Sequence, residues 1–333
     1  MKILYHKDDD GRCAAAIIHR EFNNIFDPMS KDDFVGYFHG DKLVTPELKP
    51  NEPVFIVDIA LDSTIENFIT TCLNNGAKVV HIDHHKTGIE YWMKLPEESI
   101  LRTSDKYRRF FKVGTSGTLL SWIYTYMTEE EREHATEVPI EFAQEFTHVA
   151  INFNEENPSL MREYHIPHAV RYIEDYDLWT FLLRETKYFH AGLESVKDKH
   201  PLSDIWNKLV YDNDPRAVAE IISAGRHIEG YKENLYKRFM NSAYEFTYND
   251  GLKLLCVNSP IHGSAMFGDK VDSYDAVCVY HYDGNHWHYS MYSKEDGADV
   301  SKLVQEIASR NHAVSAGGHE HAAGMVLYEL IFE

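Results

Sequence analysis

Residues 79–88, Val-Val-His-Ile-Asp-His-His-Lys-Thr-Gly, constrain the fold more than any other stretch of the chain. A short β-branched run ends in Asp83, His84 and His85, then passes through Lys86 and Thr87 to Gly88. An apolar strand that stops at a polar cluster and a glycine turn presents functional groups at the carboxyl end of a buried strand, as open α/β sheets do. Carboxylate and imidazole side by side are also metal-binding groups. Two further strands fit the same plan. Residues 54–57, Val-Phe-Ile-Val, end at Asp58, and residues 2–5 lead into His6-Lys7-Asp8-Asp9-Asp10-Gly11.

The first acidic cluster precedes a helical run over 13–22 and so lies at a helix N-terminus, where negative charge is tolerated. A calcium loop is excluded, because an EF-hand needs an acid at His6 and a glutamate where Ile17 stands. A solvated acidic turn is the plain alternative for Asp8–Asp10. Against it stands the alternation of His6, Asp8 and Asp10, which in an extended segment points three side chains to one side and Asp9 to the other. For Asp58 the alternative is a helix cap, but Asp62 with Ser63 and Thr64 is the more natural cap for a helix ending near Gly76.

Residues 99–102 are expected to form another strand. Gly114-Thr115-Ser116-Gly117-Thr118 opens an apolar helix over 119–126, and its amides suit either an oxyanion or ordinary capping. The run 129–133 reads as a solvated turn or helix start. Residues 141–151 and 166–174 have helical spacing, with a polar loop at 152–158. Asp175 and Asp177 then follow just past a helix end, where the dipole favours cations, so a positive group is expected to compensate. Residues 181–200 read as a connector, and 206–210 and 215–246 as helical, with Gly225 and Gly230 interrupting the pattern. The texture then changes to strands at 253–257, 276–280 and 287–292, the last two joined by Asp283-Gly284-Asn285, a hairpin signal. A helix over 300–310, a glycine-rich histidine loop at 316–324 and a strand at 325–331 complete the chain.

With 333 residues the chain is long enough for two domains. The 33 basic and 53 acidic residues leave a net charge of −20, a surface that repels long duplex nucleic acid. A small anionic substrate remains compatible if bound cations make its pocket positive. No run of about 18 apolar residues predicts a membrane span. Residues 1–6 enter a strand without a signal-peptide pattern, and four scattered cysteines read as buried thiols, so a cytoplasmic protein without a disulfide framework is expected.

Asp83-His84-His85 together with His6-x-Asp8-x-Asp10-Gly11 resembles the signature of the DHH phosphoesterase superfamily. The last ninety residues resemble its DHHA1 domain, whose loop reads G-G-G-H-x-x-A-A-G. Here Gly317, Gly318, His319, Ala322, Ala323 and Gly324 match, Ala316 replaces the first glycine, and residues 290–293 lack an arginine often found there. The resemblance covers essentially the whole chain. It implies an α/β fold: a parallel-sheet DHH domain with helices on both faces over 1–185, a helical linker over 186–246, and a smaller α+β DHHA1 domain over 247–333.

By the same resemblance, His6 and Asp8 would hold one metal, Asp10, His84 and Asp175 the other, and Asp58 would bridge them. Asp177 is the alternative to Asp175. Asp83 would orient a neighbouring ligand and His85 would face the scissile phosphate, while Gly317, Gly318 and His319 would hold the substrate. Mixed oxygen and imidazole ligands without thiolate favour two Mn2+ ions, with Mg2+ or Co2+ as substitutes. The implied activity is hydrolysis of short nucleotides by in-line attack of a metal-bridging hydroxide: oligoribonucleotides, linear or cyclic dinucleotides, or pAp-like molecules. No membrane partner is expected, and a homodimer is compatible with the sequence. A manganese-dependent inorganic pyrophosphatase is the enzymatic alternative, though it would need more basic residues around its substrate. A non-catalytic nucleotide-binding protein should have lost ligands that this chain retains.

Overall fold

The computed structural model describes residues 1–22, 28–127, 166–249, 251–261, 263–294 and 296–331. The expectations for 129–133, 141–151 and 152–158 lie outside the described residues. Among the described residues, no helix is long and apolar enough to cross a membrane. The chain divides into two compact units, residues 1–226 and 227–333.

Among the described residues, the first unit is built on five parallel strands: β1 (Lys2–His6), β2 (Phe34–Tyr37), β3 (Pro53–Val57), β4 (Lys78–Asp83) and β5 (Tyr107–Phe111). Their order in the sheet is β2-β1-β3-β4-β5. Successive side chains face opposite sides, and both faces are apolar, as a parallel sheet covered by helices requires. Leu4, Val54, Ile56 and Val79 pack with Ile65, Phe68 and Ile69 of α2 (Ser63–Asn74). Ile3, Tyr5, Phe55, Val57 and Ile82 pack on the other side with Ala14, Ala15 and Ile18 of α1 (Asp9–Phe22). The α/β architecture with helices on both faces is therefore as expected. Each fully buried Ile or Val contributes about 1.5–3 kcal/mol from its removal from water. Asp62 caps α2 as read from the sequence, accepting from the amides of Thr64 and Ile65.

Among the described residues, α2 is followed by α3 (Lys86–Lys94), the single turn α4 (Ile100–Thr103), α5 (Gly117–Tyr126) and α6 (His168–Asp177). Beyond them α7 (Thr186–Glu194) occupies part of the expected connector at 181–200. A short turn α8 (Asp204–Trp206) continues as a π-turn over Asn207–Tyr211, and α9 (Pro215–Met240) crosses the boundary between units. Residues 186–226 pack within the first unit. Gly225 does not break α9. It lets α9 lie directly on α7, since a Cβ there would overlap the Tyr188 carbonyl.

Several expectations are corrected. The stretch 99–102 is not a strand, because the Ser99 hydroxyl accepts from the Leu101 amide and starts α4. The strand lies later, at β5. Helix α1 begins at Asp9, so residues 8–10 are not extended. Asp175 and Asp177 are inside the last turn of α6 rather than past it. Helicity ends at Met240, and residues 244–248, Tyr-Glu-Phe-Thr-Tyr, alternate at period two and form β6 (Tyr244–Tyr248).

The second unit is a six-stranded mixed sheet with β7 (Leu252–Asn258), β8 (Ala276–Tyr282), β9 (Trp287–Tyr292), β10 (Ser315–His319) and β11 (Ala322–Leu327), in the order β10-β11-β9-β8-β7-β6. Its core packs the sheet on α10 (Val300–Arg310), which the sequence placed at the same residues. Asp283-Gly284-Asn285 joins β8 and β9 as an antiparallel pair. The expected loop at 316–324 is instead a hairpin of β10 and β11, registered Gly317 to Gly324 and His319 to Ala322. The closing strand therefore ends at Leu327, short of Ile331.

Candidate metal centre

In the order β2-β1-β3-β4-β5 the chain winds outward in opposite directions from β1 and β3, and ligands of open α/β sheets bind beyond the carboxyl ends at that reversal. His6 ends β1 and Asp58 follows β3, so both flank it. Asp83 ends β4 beside them.

The β1-to-α1 turn is tight. A Cβ at Gly11 would overlap the His6 carbonyl, so only glycine lets the first helical turn fold back onto the strand end. Asp8 caps that turn through the Gly11 amide at 2.8 Å, and its other oxygen lies 2.6 Å from His6 Nδ1. Asp10 is buried and accepts from the amides of Gly117 at 2.7 Å and Thr118 at 2.8 Å. The oxyanion for the glycine-rich start of α5 is thus a carboxylate of the chain itself. Asp9 turns away to Lys199, 2.6 Å distant. The sequence expectation that Asp9 diverges from His6, Asp8 and Asp10 holds, although helix geometry rather than strand alternation produces it.

Asp58 adopts a left-handed backbone, φ 58°, and is 2% exposed. Its Oδ1 lies 3.1 Å from His84 Nε2 and its Oδ2 lies 3.7 Å from His6 Nδ1, so one carboxylate faces two imidazoles. Burial, then Asp10 and Asp8, push its pKa well above the carboxylate range. Asp83 is wholly buried and accepts from His85 Nδ1 at 2.7 Å, so it orients His85. Burial opposes ionisation of Asp83, but the hydrogen bond with His85 wins and lowers its pKa. Within β4, His81 Nε2 donates to the Ile59 carbonyl at 2.7 Å, next to Asp58. Burial lowers the His81 pKa, and the neutral ring accepts from the Tyr107 hydroxyl, 3.2 Å away, at Nδ1.

Helix α6 brings Asp177, not Asp175, to the strand ends. Asp177 Oδ2 lies 3.6 Å from His84 Nε2, and Asp10, His84 and Asp177 each offer an atom within 4.8 Å of the others. Burial, then Asp10, with Asp58 and Asp8, raise its pKa to about 8. Asp175 is instead saturated by the hydroxyls of Thr180 and Thr186 and the amides of Leu182 and Leu183.

Two further groupings meet the same 4.8 Å limit: His6, Asp8 and Asp58, and Asp58, His84 and His85. Buried oxygens of Asp58 and Asp177 have no hydrogen-bond partner among the described residues. Four carboxylates this close strongly disfavour full ionisation without cations. Hard oxygen donors with imidazole and no thiolate suit Mn2+, with Mg2+ a weaker match. The residues present therefore fit a divalent centre.

The sequence reading missed a buried set behind the centre. The Thr115 hydroxyl donates to Glu174 at 3.1 Å, and burial raises the Glu174 pKa to about 8. Lys112 is also buried, with its pKa lowered to about 8 by burial. Recognition of residues 107–111 as a strand would have put Lys112 at its carboxyl end, where functional groups are expected. Gly317, Gly318 and His319 lie in the second unit on exposed β10. An open groove of about 440 Å³ there is lined by Ser290, Ala316, Gly317 and Gly324 among others.

No family model and no curated protein sequence matches the chain. Solved structures do. The chain is similar to RecJ in complex with Mn2+ from Thermus thermophilus, with 13% identity and a TM-score of 0.47 over 98% of this chain; it spans about half, 49%, of that chain. It is similar to the pGpG-specific phosphodiesterase PggH from Vibrio cholerae, with 10% identity and a TM-score of 0.43, over 98% of this chain and 94% of that one. An exopolyphosphatase-related protein from Bacteroides fragilis gives 12% identity and a TM-score of 0.35, over 99% and 88%. The DHH resemblance rests on this chain's own motifs. Both motifs lie at carboxyl ends of parallel strands in one sheet, and their side chains meet.

Proposed function

We propose that the chain is a metal-dependent phosphodiesterase that hydrolyses short nucleotides, namely oligoribonucleotides, linear or cyclic dinucleotides or pAp-like molecules. The observation that carries this reading is the pair of donor sets, His6-Asp8-Asp58 and Asp10-His84-Asp177, beside buried oxygens of Asp58 and Asp177 that lack hydrogen-bond partners among the described residues. The first set would hold one Mn2+ and the second another, with Asp58 turned toward both. When bound, two such ions polarise phosphoryl oxygens and make water nucleophilic at neutral pH.

The chain's own groups supply the remainder. Asp83 accepts the Nδ1 hydrogen bond of His85, which fixes the ring and leaves Nε2 to hold a proton for the departing oxygen. Although burial opposes it, the hydrogen bond to Asp83 raises the His85 pKa, which favours the proton-bearing ring. The Gly117 and Thr118 amides hold Asp10 in place, so its position does not depend on solvent. In the second unit, Gly317, Gly318 and His319 are assigned to contact the nucleotide, supported by the exposure of β10 and the groove beside it.

The test is a hydrolysis panel with manganese-loaded protein against pAp, a linear dinucleotide, a cyclic dinucleotide, a short RNA oligomer and pyrophosphate. Cleavage of a nucleotide is expected, and Asp58→Asn should abolish it while the fold persists. Preferred cleavage of pyrophosphate, or no hydrolysis with metal demonstrably bound, overturns the proposal.

A further inference from the structure

Immediately after Asp177 the backbone is strained. Trp179 and Phe181 adopt left-handed conformations, φ 57° and 48°, with no glycine at either position. Such conformations cost on the order of 1–3 kcal/mol each and persist only where the surroundings enforce them. Asp175 enforces these. Its buried carboxylate gathers the Thr180 hydroxyl at 2.6 Å, the Leu182 amide at 2.8 Å and the Leu183 amide at 3.0 Å, and also binds the Thr186 hydroxyl. The strained loop does not bury its apolar groups. Trp179 is 68% exposed and Phe181 40%, their rings meeting edge to face at 4.7 Å.

This loop borders a cavity of about 170 Å³. Asp8, Asp9, Asp10 and Asp177 line it together with Tyr176, Trp179 and His190. Tyr176 stacks on His190 with centroids 3.4 Å apart and planes 11° from parallel, and Trp179 meets Tyr176 edge to face at 5.4 Å. Candidate metal ligands and aromatic rings therefore line the same cavity. A molecule that suits both kinds of lining has a phosphate next to a planar π-system.

We infer that the Tyr176–Trp179–His190 wall is a nucleobase-stacking subsite within the first unit, holding the base of the nucleotide whose phosphate lies at the acidic cluster. The inference deepens the proposed function and rests on it for the phosphate end alone. Pyrophosphate has no use for an aromatic wall, and a net charge of −20 disfavours a long strand running past it. Stacking is worth about 1–3 kcal/mol per base and tolerates any base, which suits an enzyme for short nucleotides.

The experiment compares binding of AMP and ribose 5-phosphate to the manganese-loaded full chain by calorimetry, beside the hydrolysis panel. AMP should bind more tightly than ribose 5-phosphate. Trp179→Ala should weaken AMP about 5- to 150-fold, leave ribose 5-phosphate unchanged, and raise KM for a dinucleotide more than it lowers kcat. Trp179→Phe should keep most of the AMP affinity. Retained ribose 5-phosphate binding reports that the variant is folded. Equal binding of the two ligands, no AMP binding, or equal weakening of both by Trp179→Ala overturns the subsite. If Trp179-dependent AMP binding appears without hydrolysis of any nucleotide, the subsite stands and the hydrolase reading fails. If hydrolysis appears with a dinucleotide KM insensitive to Trp179→Ala, the hydrolase reading stands and the subsite fails.

Discussion

Asp175 and Asp177 are two residues apart on one helix, and the structure gives them different surroundings, whose proposed roles a pair of substitutions separates. Asp175→Asn keeps the shape but leaves one accepting oxygen where there were two, and turns an NH2 toward a donor. Of the four bonds to the carboxylate, from Thr180, Leu182, Leu183 and Thr186, the amide bond on the NH2 side is lost, the hydroxyl bond there must reverse, and the other two weaken as the acceptor loses its charge. Hydrogen bonds to a charged acceptor contribute about 1.5–3 kcal/mol each. The lower end applies because the freed loop can rehydrate and relax the strain at Trp179 and Phe181. A net loss of about 2–3 kcal/mol is expected, which speeds exchange of the Leu182 and Leu183 amides about 30- to 150-fold when read as local opening. Asp177→Asn should leave that exchange alone, keep or raise stability in chelator, and remove manganese binding and activity. Hydrogen exchange by mass spectrometry and metal analysis of both variants are the assays. If Asp175→Asn loses metal with unchanged exchange, the assignment of the two aspartates is wrong.

Metal-free protein should lose stability as pH rises from about 4 to about 8. Asp177 is held protonated in the fold up to about 8, against 3.8 unperturbed, so the native state binds more protons than the unfolded state across that window. Despite burial, which lowers it, the Asp58 carboxylate 3.7 Å away and the hydrogen bond with Asp8 raise the His6 pKa to about 10; that contribution is full below 6.5 and lost through 10, the same sign. Melting temperatures in chelator across pH 5–9 check this, and manganese should flatten the profile and release protons on binding. Gly117→Ala puts a Cβ 2.6 Å from that of Asp58 and 3.0 Å from Asp10 Oδ2; activity should fall about 100-fold, since a 1 Å misplacement has that cost, with the melting temperature changed far less. Gly225→Ala forces α9 off α7 at the Tyr188 carbonyl and should cost about 3 kcal/mol, the upper end for overpacking, read by denaturant unfolding.

What was legible in the sequence followed from local pattern. Val54–Val57 before Asp58, and the run ending at Asp83, are apolar strands that stop at a polar group, and both lie where that pattern put them. Strand β5 was illegible because Tyr-Arg-Arg-Phe-Phe carries two charges. It is an edge strand, where charge is tolerated, and Arg109 covers Trp92 at 4.3 Å. Strand β10 contains two glycines in five residues and takes its structure from its partner β11. The choice between Asp175 and Asp177 depends on how α6 is rotated. Val170 and Ile173 pack in the core, and Asp177 continues their stripe at i+7 and i+4, a signal that was present in the sequence.

The carboxylates of the centre differ in what holds them, and that difference bears on which one is shared. Asp8 is pinned by the Gly11 amide, and Asp10 by two amides at the start of α5. Each of these accepts from the backbone and is fixed by it. Asp58 faces His84 through one oxygen and His6 through the other, and its Oδ2 has no hydrogen-bond partner among the described residues. Its position is set by a left-handed backbone and by Gly117, which leaves room for its Cβ. A carboxylate with both oxygens turned toward imidazoles, and with its backbone held left-handed, is the one that would serve both cations if two were bound. The left-handed backbone at Asp58 and the missing Cβ at Gly117 together set where that carboxylate stands, and the proposed sharing depends on both.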